Sequence, residues 1–450
     1  MERFVEIHNA INSFVWGVPL IIALMGTGFF LTFWTGAIQF RRFGFAFREV
    51  LGKVFSKGDG TGTVTPFQAV ATALASTVGV GNIAGVATAI HLGGPGALFW
   101  LLVSGLFGMC TKFCEITVAM HYREKDPSGT MRGGAMYVLK HGLKLPWLGA
   151  IFALLTSLAA FGIGNMVQAN SVADALQTSF GVGPKVTALI LMAVVALVVL
   201  GGIRRIVEVT QYLVPFMCIV YFLGAMVIII INAAEIPHAV GLVVEGAFSG
   251  SAAVGGFAGA TVAQAIRLGI ARGLFTNEAG LGSAPIVHAA AVTDHPVRQG
   301  LYGIFEVFID TFVVCLVTGL VILTTGAWEE GLTGAALSAR GFELGLPGAW
   351  GHGIVTIGVL LFAFSTLIGW SFYGETAAVY LLGRKAVLPY RLLWIGVIWI
   401  GATGSLQLVW QVSDTLNGLM AVPNLIAILG SLALLRKLIK EFFSGSYSRS

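Results

Sequence analysis

The sequence predicts an all-α integral membrane protein with eleven transmembrane helices in a single domain spanning residues 1–450. Three observations support this prediction: the composition, eleven apolar stretches of membrane-spanning length, and basic residues that collect in alternate connections. Hydrophobic residues make up 56% of the chain and charged residues only 10%, whereas soluble proteins carry about 25% charged residues. This composition excludes a disordered chain, a nucleic-acid-binding protein and an ordinary soluble enzyme. The four cysteines all lie in apolar runs, which argues against a disulfide framework or a zinc site.

A transmembrane helix needs about 20 mostly apolar residues. The stretches that meet this criterion are 13–36, 66–90, 96–120, 148–173, 186–202, 210–232, 255–275, 299–325, 352–381, 390–411 and 416–436. The first stretch is preceded by Glu2, Arg3 and Glu6 rather than by a basic patch, and no small-residue cleavage site follows it. We therefore expect it to be retained as a helix and not removed as a signal peptide.

The distribution of basic residues predicts the orientation in the plasma membrane (a cell inner membrane in bacteria). Nearly all of the 26 Lys and Arg residues lie in alternate connections, including Arg267, Arg272 and Arg298, which we assign to one inner connection. The opposite side keeps only Arg3, Lys185 and Arg340. Because Lys and Arg are retained on the cytoplasmic side, the amino terminus is predicted outside and the carboxyl terminus inside. The longest inner connection, 121–147, is predicted to be a lid or an amphipathic segment.

A glycine-rich polar cluster interrupts the second stretch. It reads Ser-Thr-Val-Gly-Val-Gly-Asn-Ile-Ala-Gly over residues 76–85. Gly79 and Gly81, flanked by Thr77 and Asn82, weaken the helix and free backbone groups that lipid cannot satisfy. The helix restarting after Gly81 would offer N–H groups and a positive dipole end to a carboxylate. The alternative is a packing notch in which Asn82 bonds to a neighbouring helix.

A second cluster of the same kind occupies residues 264–285 in and after the seventh stretch. Its break lies either at Leu268 to Gly273 or nearer Asn277. The two clusters begin segments of five helices each, repeat 1 at 66–232 and repeat 2 at 255–436, which start on opposite faces of the membrane. This pattern is typical of an inverted-repeat transporter core with discontinuous first helices, here preceded by one extra helix at 13–36.

Several other polar residues lie within spans, and most of them have more than one interpretation. Asp310 in the eighth stretch supports a sodium site, relays a proton or pairs with Arg267, since intramembrane acids are functional by default. Gln168 either binds a zwitterionic substrate or forms an interhelical hydrogen bond. Trp370 either covers a small pocket or packs in the core. Lys112 and Glu115 are predicted to form a structural ion pair.

The sequence resembles the alanine or glycine:cation symporter family over nearly its whole length. The blocks that carry this resemblance are GVGNIAGVATA (Gly79 to Ala89), GGPGALFW (Gly93 to Trp100), FGIGNMVQANSVAD (Phe161 to Asp174) and TNEAGLGSAP (Thr276 to Pro285). The resemblance implies sodium-coupled uptake of an amino acid by alternating access on a leucine-transporter type of fold. It also implies Na⁺ as the co-transported ion.

The resemblance assigns roles residue by residue. The amides of Val80 and Gly81 would meet the substrate carboxylate, Asn82 and Thr77 would serve a first sodium, and Ala75, Val78, Ser365 and Thr366 would serve a second. Asn82, Gln168, Ile270 and Trp370 complete the expected substrate site. Sodium is a hard cation that prefers such oxygen ligands. The alternative for Ser365 and Thr366 is hydroxyls bonded to carbonyls one turn back.

The leading functional prediction is therefore a secondary transporter and not an enzyme. Its expected substrate is a small neutral amino acid, alanine or glycine, with sodium and membrane lipid as its other partners. A membrane-embedded hydrolase using Ser283 or Asp310 lacks a His or Lys at a credible spacing to act as a base. An ion channel would need a pore ring supplied by symmetry, which the central helix breaks argue against.

Overall fold

The computed structural model describes residues 11–12, 15–249, 261–348, 350–404 and 407–445. Glu2, Arg3 and Glu6, and the start of the seventh predicted stretch at 255–260, lie outside these ranges. The longer helices are α1 Val18–Trp34, α2 Phe43–Gly52, α3 Pro66–Thr77, α4 Gly81–Gly93, α5 Gly96–His121, α6 Pro146–Phe180, α7 Pro184–Val199, α8 Gly202–Ile231, α9 Ile236–Phe248, α10 Val262–Asn277, α11 Ala284–His288, α12 Pro296–Thr324, α13 Gly334–Gly345, α14 Trp350–Leu382, α15 Val387–Thr403, α16 Gln407–Gly430 and α17 Leu432–Ser444. Short helical turns lie at Ile38–Arg41, Ala135–Tyr137 and Val138–Gly142.

A helix lies in each of the eleven stretches that the sequence marks as apolar. Among the described residues, six helices are long and apolar enough to cross a membrane, or up to eight when each bent pair is taken as one span. The protein is therefore a nearly all-helical, multi-pass membrane protein. The number of eleven crossings stays a prediction.

The first break interrupts the helix that begins at Pro66. Thr65 and Gln68 form a reciprocal capping box there, and proline occupies the first helical position, where its missing N–H costs nothing. The helix stops at Thr77, because Val78 has a non-helical ψ of 88°. It restarts as a wide turn at Gly81 and continues to Gly93, bent by 50° from α3.

The second break lies after α10. This helix also begins with a capping box, formed by Thr261 and Gln264. It runs unbroken to Asn277 and ends at Glu278, which adopts a left-handed φ of 54°. Gly280 and Gly282 follow with φ of 88° and 81°, and α11 begins at Ala284. Of the two positions that the sequence left open, the structure has the break near Asn277.

Arg267 and Arg272 are not where the sequence analysis placed them. Both lie inside α10 and line a pocket with Trp16 and Asp414, at the end of the bundle where α1 starts. Arg298 lies at the opposite end, where it contacts Glu49 of α2 at 2.7 Å. The assignment of Arg267 and Arg272 to the inner connection was wrong, because α10 is one continuous helix and carries them away from that face.

The long connection after α5 contains a two-stranded antiparallel hairpin, β1 Glu124–Lys125 and β2 Met131–Arg132. Asp126 at its turn accepts hydrogen bonds from Ser128 and from the Arg132 guanidinium. Burial alone would raise the pKa of Asp126, but these hydrogen bonds lower it to about 2. Arg132 also contacts Glu375 of α14 at 3.3 Å, so the hairpin is tied to the helix bundle.

Candidate functional site

The backbone between α3 and α4 is held open by the side chain of Asn82. Its Oδ1 accepts the Gly79 backbone N–H at 3.0 Å, while the backbone N–H of Asn82 donates to the Gly79 carbonyl at 3.1 Å. The amides of Val80 and Gly81 begin the new helix, where the first N–H groups have no carbonyl one turn earlier to bond. Val80 and Gly81 therefore lie at a helix N-terminus, and their role as donors to a carboxylate stays a prediction.

Four oxygen atoms converge on the carboxyl end of α3. The hydroxyls of Ser365 and Thr366 each donate to the Ala75 carbonyl at 3.1 Å and to the Phe362 carbonyl at 2.9 Å. Val78 follows one turn after Ala75 with its non-helical backbone. The structure thus brings Ala75, Ser365 and Thr366 together and adds Phe362, which the sequence analysis missed. Each hydroxyl also bonds to the Phe362 carbonyl one turn back in its own helix. The structure is therefore compatible with both a sodium-ligand role and a purely structural role for this hydroxyl pair.

Asp310 lies on the other side of the break and contacts Asn82 directly. The Asn82 amide donates to Oδ1 of Asp310 at 2.6 Å, and the Thr311 hydroxyl donates to Oδ2 at 3.0 Å. The Thr276 hydroxyl lies beside the same carboxyl group. Asp310 is fully buried and forms no ion pair with any described residue, so the pairing with Arg267 is not seen. Thr77, in contrast, directs its hydroxyl to the Ala73 carbonyl in its own helix at 3.1 Å.

Gln168 faces the break from α6. Its Nε2 donates to the Ile163 carbonyl at 3.0 Å, while its buried Oε1 has no partner among the described residues. That oxygen lies 3.7 Å from the point that a Cβ on Gly79 would occupy. Gly81 faces α10, because a Cβ there would lie 3.2 Å from the Phe275 ring and 3.4 Å from the Thr276 methyl group. Gly79 and Gly81 thus keep a narrow space clear of side chains.

Trp370 connects the second break to α6. Its indole N–H donates to Oε1 of Glu278 at 3.1 Å, and Glu278 also accepts the Ser283 hydroxyl. Gly164 of α6 packs so closely that a Cβ on it would lie 2.3 Å from the Trp370 Cβ. Trp370 is therefore clamped in one orientation beside the break. Ile270 lies two turns before that break, in the continuous part of α10, so no backbone interruption accompanies its predicted role.

The Lys112–Glu115 pair belongs to a larger buried network. Lys112 Nζ lies 4.0 Å from Glu115 but only 3.2 Å from Glu306, and Glu306 contacts His288 at 3.0 Å. Glu115 also accepts hydrogen bonds from the Gly280 amide and from Asn424. These contacts link the loop of the second break to α5, α12 and α16.

Four residues beside the two breaks were missed by the sequence analysis as site residues: Phe275, Thr276, Glu278 and Phe362. Three of them lie in or next to the TNEAGLGSAP block, so that block contained the signal. Phe362 contributes only its backbone carbonyl, which no side-chain pattern reveals.

Comparisons with known proteins show the family of the chain. The profile of the "Sodium:alanine symporter family" matches residues 1–448. The chain is 48% identical to the "Sodium/alanine symporter AgcS" of Methanococcus maripaludis, over 95% of this chain and 94% of that protein. It is 47% identical to an uncharacterized transporter of Haemophilus influenzae, over 97% and 94%. The "Probable sodium/glutamine symporter GlnT" of Bacillus subtilis is 38% identical, over 95% and 88%.

Among solved structures, the fold is similar to the manganese transporter of Eremococcus coleocola crystallised with an aromatic bis-isothiourea compound. The TM-score is 0.52 at 16% sequence identity, over 84% of this chain and 82% of that one. At this identity the similarity concerns the fold alone.

Proposed function

The chain belongs to the sodium:alanine symporter family, and from this premise we propose that it moves a small neutral amino acid, alanine or glycine, into the cell together with sodium by alternating access. Cation-coupled symport of an amino acid follows from the family, and the protein is a transporter and not an enzyme. The identity of the substrate, the sodium ligands and the transport cycle are our proposals.

The observation that carries the proposal is the oxygen cluster at the end of α3. The carbonyls of Ala75 and Phe362 and the hydroxyls of Ser365 and Thr366 lie within 3.1 Å of one another in donor–acceptor pairs. Hard cations take such neutral carbonyl and hydroxyl oxygens as ligands. With the Val78 carbonyl as a fifth ligand, this cluster is the proposed second sodium site.

A first sodium is proposed beside Asp310 on its Thr276 side, since the Asn82 side-chain nitrogen already contacts Oδ1 of Asp310 at 2.6 Å. The buried Asp310 carboxylate has amide and hydroxyl neighbours but no described cationic partner. An isolated carboxylate inside the membrane is costly, and a sodium ion held by Asp310 and Thr276 would neutralise it. The Asn82 oxygen, which the sequence analysis assigned to this ion, accepts the Gly79 amide instead. Asp310 then acts as a direct ligand and not merely as an indirect support.

The amino acid is proposed to lie over the break between α3 and α4. Its carboxylate accepts hydrogen bonds from the Val80 and Gly81 amides at the positive end of α4, and the unpartnered Gln168 Oε1 receives its ammonium group. Phe275, packed at 3.2 Å from the Cβ position of Gly81, limits the space for a side chain. Alanine and glycine are expected to be accepted in this space, whereas leucine is expected to be rejected.

The two capping boxes support the proposed division into inverted repeats. α3 begins with Thr65 and Gln68, and α10 begins with Thr261 and Gln264, in the same Thr-x-x-Gln spacing. Each helix then breaks at the depth of the proposed site. Repeats of this kind move against each other around a fixed central site, with the amino terminus outside and the carboxyl terminus in the cytoplasm.

The test is uptake of labelled alanine into proteoliposomes with sodium outside, inside or on both sides. Uptake should require inward-directed sodium and should be inhibited by unlabelled glycine but not by leucine. Sodium-independent uptake would contradict the coupling. Strong inhibition by glutamine or leucine would contradict the small pocket while leaving symport intact.

A further inference from the structure

An apolar groove lies between α2, α3, α8 and α12. Its volume is about 530 Å³, within the range of about 300–1,000 Å³ that is usual for ligand sites. Apart from Gln211, whose side-chain oxygen accepts the Gln68 amide at 3.2 Å, its lining side chains are aliphatic, aromatic or a thiol. Phe55 and Tyr212 on its rim are 100% and 76% exposed. The groove therefore opens onto the outer surface of the bundle.

The groove lies at the depth of lipid acyl chains. α8 is long and apolar enough to cross a membrane, and its residues between Gln211 and Ile219 form one wall. Gln211 is about 14 Å along the helix from its start at Gly202, at 1.5 Å per residue. That start lies at the end of the bundle that the sequence predicts to face the cytoplasm. With this orientation, the groove faces the acyl chains of the inner leaflet.

Two arginines of α8 lie on the same face of the helix as this wall. Arg204 precedes Gln211 by seven residues, and Arg205 precedes Tyr212 by seven. Seven residues are close to two helical turns, so each arginine lies in line with a wall residue and about 10 Å nearer the helix start. Both arginines are exposed, and they lie where lipid headgroups meet water.

The segment of α2 and the turn after it supplies two more basic residues beside the groove. Leu51, Val54 and Phe55 of this segment line the groove. Arg48 lies three residues before Leu51, on the same face of α2, and Lys57 lies two residues after Phe55. Both basic residues are exposed. The inner end of the groove is thus flanked by basic residues from two different walls.

The charges of these four basic residues are available to a ligand. Within the described part of the chain, none of the four forms an ion pair, a hydrogen bond or a cation–π contact. Lys53, by contrast, pairs with Glu49 at 2.7 Å. In these described segments the acidic residues without an ion pair are Asp59 and Glu208, so the unpaired basic groups outnumber the unpaired acidic ones. Clusters of basic residues beside the cytoplasmic end of a membrane helix attract anionic lipid headgroups.

We propose that this groove is a binding site for an anionic phospholipid. One acyl chain fills the groove, and the four basic residues hold the phosphate group. Leu74 and Ile309 line the groove. The residues that follow them, Ala75 and Asp310, are proposed sodium ligands, so the lipid packs on both helices that carry the proposed ion sites. The lipid site does not depend on which substrate the protein transports.

The first experiment titrates the purified protein in detergent with phosphatidylglycerol or phosphatidylcholine that carry the same oleoyl chains, and measures the midpoint of thermal unfolding. A lipid that binds the folded protein raises this midpoint. Phosphatidylglycerol should do so at lower concentrations than phosphatidylcholine, and the difference should shrink at high salt because exposed charges are screened. Equal effects of the two lipids on the wild type would overturn the proposal.

The second experiment removes the charges. Arg204→Gln and Arg205→Gln should each raise the phosphatidylglycerol concentration for half-maximal stabilisation about fivefold, the size expected for one basic residue near a membrane surface, and should leave the phosphatidylcholine titration unchanged. Lys385→Gln is the matched control, because Lys385 is exposed and lines a different apolar groove, of about 420 Å³. An equal loss in Lys385→Gln, or no loss in the arginine variants, would overturn the proposal. Glycerol phosphate, which has no acyl chain, should not raise the midpoint; stabilisation equal to that by phosphatidylglycerol would show a site for free anions instead.

The third experiment fills the groove. Cys218 is half-buried and lines it. Cys218→Trp should remove the advantage of phosphatidylglycerol, because the indole occupies the space of the acyl chain, whereas Cys218→Ser keeps the volume and should retain it. Ile219→Trp, at an exposed position of the same wall, is the second filling variant if Cys218→Trp does not fold. An unchanged advantage of phosphatidylglycerol in a folded filling variant would show that the lipid binds elsewhere, and would overturn the proposal.

Discussion

Gly79 is the position where the smallest substitution should have the clearest effect on sodium. A Cβ on Gly79 would lie 2.7 Å from the Thr366 hydroxyl oxygen, which itself bonds the Ala75 and Phe362 carbonyls at 3.1 and 2.9 Å. Contacts between 3.0 and 3.4 Å are already unusually tight. In Gly79→Ala the hydroxyl must therefore retreat by several tenths of an ångström or leave its rotamer.

The cost of this overpacking is about 1–3 kcal/mol, which corresponds to a factor of about five to somewhat over a hundred in binding. The overpacking destabilises the rotamer in which the Thr366 hydroxyl points into the oxygen cluster. It is therefore expected to weaken sodium binding at that cluster. We expect the sodium concentration for half-maximal alanine uptake to rise about tenfold or more. At saturating sodium, most of the uptake should return.

Gly85→Ala is the matched control for this substitution. Gly85 lies in the restarted helix with φ of −69°, and the nearest atom to its added Cβ is Arg272 Cδ at an ordinary 3.9 Å. Replacing glycine by alanine makes the unfolded chain less flexible, and this stabilises the folded state to the same extent in both variants. The comparison between the two variants therefore isolates the contact with Thr366. The assay is alanine uptake into proteoliposomes, titrated with sodium. If both Gly79→Ala and Gly85→Ala gave the same titration curve as the wild type, the reasoning would be refuted.

Three further substitutions test the remaining parts of the site. Gly81→Leu should abolish alanine binding while the protein still inserts and purifies as a folded species, because the added side chain runs into the Phe275 ring; near-normal affinity in a binding assay would mean that the break is only a packing notch. Asp310→Asn should weaken sodium-dependent uptake at least tenfold with less effect on alanine affinity at saturating sodium, and an unchanged sodium titration would remove Asp310 from the first sodium site. Glu278→Gln keeps an oxygen for the Trp370 indole and should retain uptake, whereas Glu278→Ala leaves that buried N–H unpaired at about 1–3 kcal/mol; thermal unfolding in detergent should show the difference, and equal stability of the two variants would contradict it.

The helices and the first break could be predicted from the sequence, because both are local. Twenty apolar residues in a row have one stable conformation in lipid, and two glycines beside polar residues mark where that conformation fails. The proposed sodium ligands at the end of α3 were chosen by resemblance, and the structure brings Ala75, Ser365 and Thr366 into hydrogen-bond contact. The sequence analysis missed Phe362 because this residue contributes only its backbone carbonyl to the oxygen cluster, and every residue has such a carbonyl.

The place of the second break depended on tertiary packing. Gly269 and Gly273 weaken α10 locally, which is why the sequence left Leu268 to Gly273 as one candidate. In the structure these glycines let α10 pack onto α5, since a Cβ at either would meet the Ala97 carbonyl or the Ser104 hydroxyl. The helix continues through them because the close contact compensates for the poor propensity, and it breaks only at Glu278.

The sequence by itself determined the class of protein, the places of its helices and its family. Only the tertiary structure decided which polar groups meet. Asn82 and Asp310 are 228 residues apart and contact each other at 2.6 Å, and Arg267 and Arg272 lie at the opposite end of the bundle from their predicted place. Such outcomes depend on how helices pack over long sequence separations, and that packing is a property of the whole bundle that no local pattern of residues contains.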